Sequence, residues 1–459
     1  EPVELRLAVE VLPFALPDRP SWVVELNRYH SVPGWAGVDA KADPQQALET
    51  TWDYYALGHQ HRCELNALPY SHSGRVDADY IPQMTGEGAD ARVADWSEWD
   101  QRFSPLLDGS AFSPERGYVG PCANTPITQM YLAFHEAWPI FPVKEYYEDY
   151  MDVSTRVEFA EYAKQANRVA DAFKPEYKKG FVDVVRQFFE HFNEKGWTDT
   201  AFQFYYNNKY YWKVAYFGGM SRGGICFWLL DEPTDFDDYD ANRFLLDLAR
   251  HGYEAANAPK TQVHYRTDVS QPEMHRGLWD HVCNLWNCSA MMRFGPTANV
   301  RQKWITDEHY WRYGGGPGVS ASPVAMHQRL LSSWTLGTTG DLPYWNTFGG
   351  RGKAWRQAEN LAIYYSGKDY CGSGKDYPGP IAGVRLKLMR RCQQDIEYLY
   401  VLAGRHGWDR PTVTRTLAEY CDNPDAPVWT FGKLTLQQVQ ELRDRVTATI
   451  LGSKRPARM

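Results

Sequence analysis

The stretch Gly224-Ile-Cys-Phe-Trp-Leu-Leu230, closed by Asp231-Glu232 and stopped by Pro233, is an unbroken apolar run with two carboxylates at its end. Bounded by Gly and Pro, such a run reads as a strand of a parallel sheet covered on both faces. Pro has no N–H to give to the ladder, so the strand ends there. Where strands and helices alternate into a barrel, the chemistry sits at the C-terminal strand ends, and this spacing puts the acidic pair at such an end. The competing reading is a polar loop entry after an apolar strand.

Two acids side by side in a partly dry pocket do not both ionise freely, because like charge and burial each raise a carboxyl pKa. A protonated Glu232 beside an ionised Asp231 suits a reaction in which a leaving oxygen takes a proton while positive charge develops elsewhere. Glycosidic bond cleavage has that requirement. Most retaining glycosidases set acid and nucleophile roughly 5 Å apart, but substrate-assisted families depart from the scheme. There a 2-acetamido carbonyl attacks the anomeric carbon, one carboxylate orients the acetamido nitrogen, and its neighbour protonates the leaving group.

Working outward, apolar runs predict strands at 22–27, 62–68, 127–134 and 201–206 before the acidic pair, and at 261–265, 284–286, 309–313 and 342–345 after it. Helical spacing covers 45–57, 153–195 with a break near Pro175, 241–252, and a last stretch with Val384, Leu388, Cys392, Ile396 and Leu399 on one face. Residues 71–109 form a polar excursion of the kind that shapes a barrel mouth. Residues 207–223 read equally as a hairpin or as an insertion within one strand. The proline-rich segment 13–20 is a linker or sharp turn. A mostly polar extension beyond Gly404 ends in a helix at 434–451.

The chain has 459 residues, 43% apolar and 15% aromatic, with net charge −8. That length allows one elaborated α/β barrel. Acidic and basic residues are interspersed, leaving no basic face for nucleic acid and no polybasic tail for a membrane. No apolar run is long enough to span a bilayer, so the chain reads as soluble, with no leader segment legible and the compartment open. The eight Cys show no paired spacing for zinc.

Cys226-Phe-Trp-Leu-Leu-Asp-Glu-Pro233 followed by Asp237-Asp-Tyr-Asp-Ala-Asn-Arg243 resembles the catalytic segment of glycoside hydrolase family 123, the retaining β-N-acetylgalactosaminidases. Leu107-Asp-Gly-Ser-Ala-Phe112, Tyr131-Leu-Ala-Phe-His-Glu-Ala-Trp-Pro139, Gly340-Asp-Leu-Pro-Tyr-Trp-Asn346, and Ile381-Ala-Gly-Val-Arg-Leu-Lys-Leu-Met-Arg390 through Asp395-Ile-Glu-Tyr-Leu399 agree in order, over roughly residues 5 to 402. The resemblance implies a (β/α)₈ TIM barrel at 17–402 and hydrolysis of terminal β-linked N-acetylgalactosamine with retention. It also implies Asp231 as the acetamide-stabilising carboxylate and Glu232 as the general acid/base. Family members carry an N-terminal β-sandwich. Residues 1–16, with the alternating run Val3-Glu-Leu-Arg-Leu-Ala-Val-Glu-Val-Leu12, are the remnant expected of its last strand, and 403–459 are a C-terminal helical extension.

Trp286, Trp311, Tyr313 and Trp345 fall at predicted strand ends where sugar rings would stack, with core packing as the competing use. A hydroxyl that fixes the acetamide carbonyl for attack suits the substrate-assisted route. Tyr313 is a candidate, or Tyr265 in its place. His135-Glu136 reads as a sugar-hydroxyl ligand or as a local polar cap. Asp341 and Asn346 flank the last strand and either bind hydroxyls or satisfy turn backbone.

His59 and His61 lack a third metal ligand at matching spacing. Asp235, Asp237, Asp238 and Asp240 lack the Gly and closing Glu of a calcium loop and read as a solvated entry to a helix. No metal or organic cofactor is called for. The expected partner is a glycan bearing a 2-acetamido sugar; oligomeric state is not legible. The competing functions are a β-N-acetylglucosaminidase or mixed hexosaminidase, and a non-catalytic carbohydrate-binding barrel.

Overall fold

The computed structural model describes residues 9–29, 31–147, 169–209, 228–234, 236–270, 277–288, 308–349, 358–367, 379–421 and 434–452. Eight strands form one sheet: β1 Val23–Tyr29, β2 Glu64–Leu68, β3 Gln129–Tyr131, β4 Ala201–Tyr205, β5 Gln262–Val269, β6 Leu285–Cys288, β7 His309–Tyr313 and β8 Gly340–Tyr344. Their order is β2-β1-β8-β7-β6-β5-β4-β3, with every neighbouring pair parallel. This is the predicted TIM barrel. The strands expected between residues 22 and 345, the run at 224–230 apart, are each found within a few residues.

Helices α1 Pro44–Gln60, α2 Ser97–Leu107, α3 Pro175–Lys195, α4 Phe236–Ala256, α5 Val324–Thr335 and α6 Val384–His406 accompany the strands, and α7 Arg410–Tyr420 and α8 Leu436–Leu451 follow. Their starts are encoded locally. Asp43 caps α1 by accepting from Gln46 N–H, with Pro44 at the first helical position. Thr435 and Gln438 form a reciprocal capping box on α8.

Of the nine runs of strand-like sequence around the acidic pair, eight are the strands of the barrel, and the described end of the ninth, which closes at Asp231, is not strand. Residues 224–227 lie outside the described residues, and Trp228, Leu229 and Leu230 are not strand. Nor is there a strand over the described part of the N-terminal run, 9–12; its residues 3–8 lie outside.

The ladder runs from β2 round to β3, and side chains bridge the remaining seam. Glu64 and Asn66 on β2 accept the main-chain N–H groups of Thr128 (3.2 Å) and Tyr131 (3.1 Å). Backbone donors that would otherwise be buried unpaired are thus satisfied. Burial pushes the Glu64 carboxyl up to about 7.

Strand parity sorts the residues. Val24, Leu26, Met130, Phe202 and Phe204 face outward into a continuous apolar core, joined by Phe181, Phe188, Phe189 and Phe192 of α3. Glu25, Asn66, Tyr131, Gln203 and Arg266 face inward. The interior of this barrel is therefore polar where branched aliphatics usually fill such barrels.

The excursion at 71–109 is more ordered than its composition implies. It holds a hairpin of 83–85 against 92–95 and then α2. A Cβ added at Gly180 of α3 would lie 2.0 Å from the Gly88 carbonyl, so only glycine admits this contact. Gly180→Ala is expected to cost about 1–3 kcal/mol by overpacking. Urea denaturation measures it, and an unchanged midpoint would mean the excursion does not bear on α3.

The C-terminal helices are tied to the barrel's outer layer. Arg443 of α8 makes a two-pronged pair with Asp395 of α6 (2.7 and 2.9 Å), and His327 of α5 meets the same carboxylate at 3.1 Å. Residue 403 falls inside α6.

Candidate active site

Beyond β4 the chain reaches Asn207, Asn208 and Lys209, all buried, and the segment 228–232 lies across the ends of β4 and β5. Its main chain is held from three sides. The Asn208 carbonyl accepts from Leu230 N–H (3.0 Å) and Asp231 N–H (3.4 Å), and the Asp268 carbonyl accepts from Glu232 N–H (3.1 Å). From α4, Asp238 accepts from Leu229 N–H (2.9 Å), and the Asn242 amide donates to the Leu230 carbonyl (3.0 Å). Asp238 and Asn242 are one helical turn apart and share a face. These bonds do the work that a ladder would have done, so residues 228–230 end the apolar run at the barrel mouth without being strand. Asp238 and Asp240, read as solvated, are both buried; Asp240 accepts from Val169 N–H.

The two carboxylates meet different surroundings. The Asp231 side chain is 10% exposed and that of Glu232 37%. Tyr205 donates to Asp231 (3.0 Å), His72 faces it at 3.3 Å, and the Lys209 ammonium lies 3.1 Å away. Burial pushes the Asp231 carboxyl upward, but His72 and Lys209 outweigh it and leave the group below the ordinary carboxylate value. Glu232 accepts from Ser270 (2.6 Å) and from the Tyr313 hydroxyl on one oxygen, and from Lys209 (3.3 Å) on the other. Its backbone is left-handed, φ +55°.

Beneath the pair lies the polar interior. Arg266 is fully buried, paired with Glu25 at 2.6 Å and, through both sides of its fork, with Asp268 at 2.7 and 2.9 Å. Gln203 accepts a further bond (2.9 Å), and Tyr205 and Tyr131 present their rings to the guanidinium. Burial pushes Asp268 up to about 6, a rise that Arg266 opposes and the charge of Asp231 reinforces.

Of the expected site residues, the structure gathers Asp231, Glu232 and Tyr313 at one point, with Tyr313 bonded to Glu232. Trp345 is 47% exposed just past β8 and meets Tyr29 edge-on at 6.1 Å; Tyr29 in turn meets His72 at 5.8 Å. Asn346 follows it on the same rim, half-buried.

The others lie elsewhere. Tyr265 has outward parity on β5 and stacks on Phe204 in the core (5.9 Å). Trp286 is also outward, packed on Trp279 and donating to Glu308. Trp311 points inward but sits below the mouth, under Arg266. Asp341 faces α5, where Arg329 and Ser333 take both its oxygens. His135 is fully buried in a tight turn, its Nδ1 accepting from Ala137 N–H (3.0 Å), and burial lowers its pKa to about 3. Glu136 is buried beside Tyr177 of α3. For His135 the polar-cap reading is the one that matches.

Lys209, His72, Tyr205 and Ser270 escaped the sequence reading. Tyr205 and Ser270 carried a usable signal, since each stands at a strand end in register with the inward residues Gln203 and Asp268. Lys209 and His72 come from loops and carry none.

No family model matches the chain, and no curated protein matches it in sequence. Its fold is similar to that of a solved family 123 glycoside hydrolase from Clostridium perfringens, studied for glycolipid glycan hydrolysis. The TM-score is 0.51 at 10% identity, over 95% of this chain and 70% of that one. A solved endo-β-1,6-glucanase overlays more loosely, TM-score 0.43 at 9% identity over 84% of this chain and 80% of its own. A family 113 β-1,4-mannanase does so with TM-score 0.33 at 10% identity, over 81% and 99%. The family met in the sequence resemblance thus includes a solved chain of like fold, and these neighbours are all glycoside hydrolases.

Proposed function

We propose that this barrel is a retaining exo-glycosidase that removes terminal β-linked N-acetylgalactosamine with help from the substrate's own 2-acetamido group. The observation that carries the reading is the difference in surroundings between the adjacent carboxylates. Asp231 is buried among donors that keep it ionised. Glu232 is more open to the mouth and leans on two hydroxyls.

In this scheme Asp231 accepts the acetamido N–H and makes the carbonyl oxygen a better nucleophile toward the anomeric carbon. Glu232 gives its proton to the departing glycosidic oxygen. The oxazolinium formed is then opened by a water whose proton returns to Glu232, so the configuration is retained. Tyr29 and Trp345 offer aromatic faces to the sugar. No cofactor enters the scheme. Residues 403–459 are taken as a helical extension.

The test is release of nitrophenol from the β-N-acetylgalactosaminide beside the β-N-acetylglucosaminide and the β-galactoside. Cleavage of the first without the third is the expected result. Equal rates on the third would remove the acetamide from the mechanism and make Asp231 a direct nucleophile, a role the shared contact with Lys209 also allows. Preference for the second would reassign the sugar.

A further inference from the structure

We propose that Lys209 is a positioning residue that fixes where the Glu232 proton sits and sets the pH range over which the Asp231 and Glu232 pair works. The inference rests on the glycosidase reading above. Lys209 is 8% exposed, and its ammonium lies 3.1 Å from Asp231 Oδ2 and 3.3 Å from Glu232 Oε2. The two carboxylate oxygens therefore lie no further apart than these two contacts laid end to end. Its main chain is anchored as well, with Lys209 N–H donating to the His72 carbonyl at 2.9 Å.

Two carboxylates that face one site repel each other, and without a countercharge the proton that relieves the repulsion is taken by either group. The ammonium breaks that symmetry. It has donors only, so the Glu232 oxygen that faces it cannot carry the proton. The proton is confined to Oε1, on the side of Ser270 and Tyr313, whose hydroxyls either donate to the carboxylate or turn to accept from the acid. Asp231, which also receives Tyr205, keeps its charge.

The other groups around the pair do not replace this function. His72 faces Asp231 at 3.3 Å. Arg266 lies below and is committed to Glu25 and Asp268. The Asp268 charge and the Tyr29 hydroxyl face the pair without bringing any positive charge.

Lys209→Met, which keeps the stem and removes the charge, tests this against Lys209→Arg, which keeps the charge. Loss of a cation favours protonation of the carboxyls that face it, so the kcat/KM profile should move to higher pH, by about one to two units. Lys209→Arg should bring it back. Lower activity with an unmoved profile would mean a structural role only and would overturn the proposal.

A second readout needs no turnover: the carbon-13 carboxyl signals of Asp231 and Glu232, assigned with Asp231→Asn and Glu232→Gln and titrated in wild type and Lys209→Met. An upward move of both midpoints supports the assignment even if no glycoside is cleaved, in which case only the glycosidase reading falls. Unmoved midpoints overturn it whatever the substrate. Lys209→Gln, read by the same titration, serves if circular dichroism shows the methionine variant unfolded.

Discussion

Glu232→Gln is expected to lower kcat/KM roughly 10²- to 10⁴-fold on a β-N-acetylgalactosaminide with an alkyl leaving group, because the departing alkoxide must then leave without a proton. On a dinitrophenyl leaving group, which departs as a stable anion, the loss should shrink to about tenfold or less. The contrast between the two substrates is the measurement. Equal losses would mean that Glu232 acts through geometry and not as an acid. The geometry itself is sensitive here: glutamine offers one carbonyl oxygen, and both faces of Glu232 are met by donors, Ser270 and Tyr313 on one side and Lys209 on the other. The amide must turn its oxygen to Lys209 and its NH2 to the hydroxyls, and any shift this causes contributes to the common part of the effect.

The largest effect on stability is expected from Arg266→Met. Methionine fills much of the space but leaves Glu25 and Asp268 buried without their cation, a loss of about 3–5 kcal/mol. The sign of its pH dependence follows from Asp268. That carboxyl is already raised to about 6 with Arg266 opposing the rise, and without Arg266 it rises further. A carboxyl whose folded pKa exceeds its unfolded one contributes most at low pH and loses that contribution as pH climbs through the folded value. The deficit of the variant should therefore be smaller at pH 5 than at pH 8. Urea midpoints at the two pH values decide it, and a deficit below about 1 kcal/mol would show the cluster to be dispensable, as buried ion pairs sometimes are.

The barrel was legible because its strands are short apolar runs at regular intervals, and parallel strands covered on both faces are written that way. The same signal misled at 228–230. Apolar content reports burial, and a segment crossing the mouth under α4 is buried as well as any strand. What distinguishes it is where its amides go, to Asn208, Asp238 and Asp268, and no local pattern announces that. The acidic pair was legible as a pair, whereas its setting was not. His72 comes from the loop after β2, Lys209 from the loop after β4 and Ser270 from the end of β5, and only closure of the barrel brings them within 3.3 Å of the same two side chains.

Alternation along strands would have sorted the aromatic candidates better than their position at strand ends. Tyr313 shares its parity with Trp311 and reaches the mouth, while Tyr265 and Trp286 carry the opposite parity and belong to the outer core.

Under the role proposed for Glu232, its left-handed backbone sets chemistry against durability at a single residue. A side chain there holds a conformation that L-residues other than glycine rarely adopt, at a cost of order 1–3 kcal/mol. Glycine would release that tension and erase the carboxyl in the same exchange. A drift toward greater robustness at this position therefore ends in a sturdier but silent barrel, and the tension persists only while selection acts on turnover.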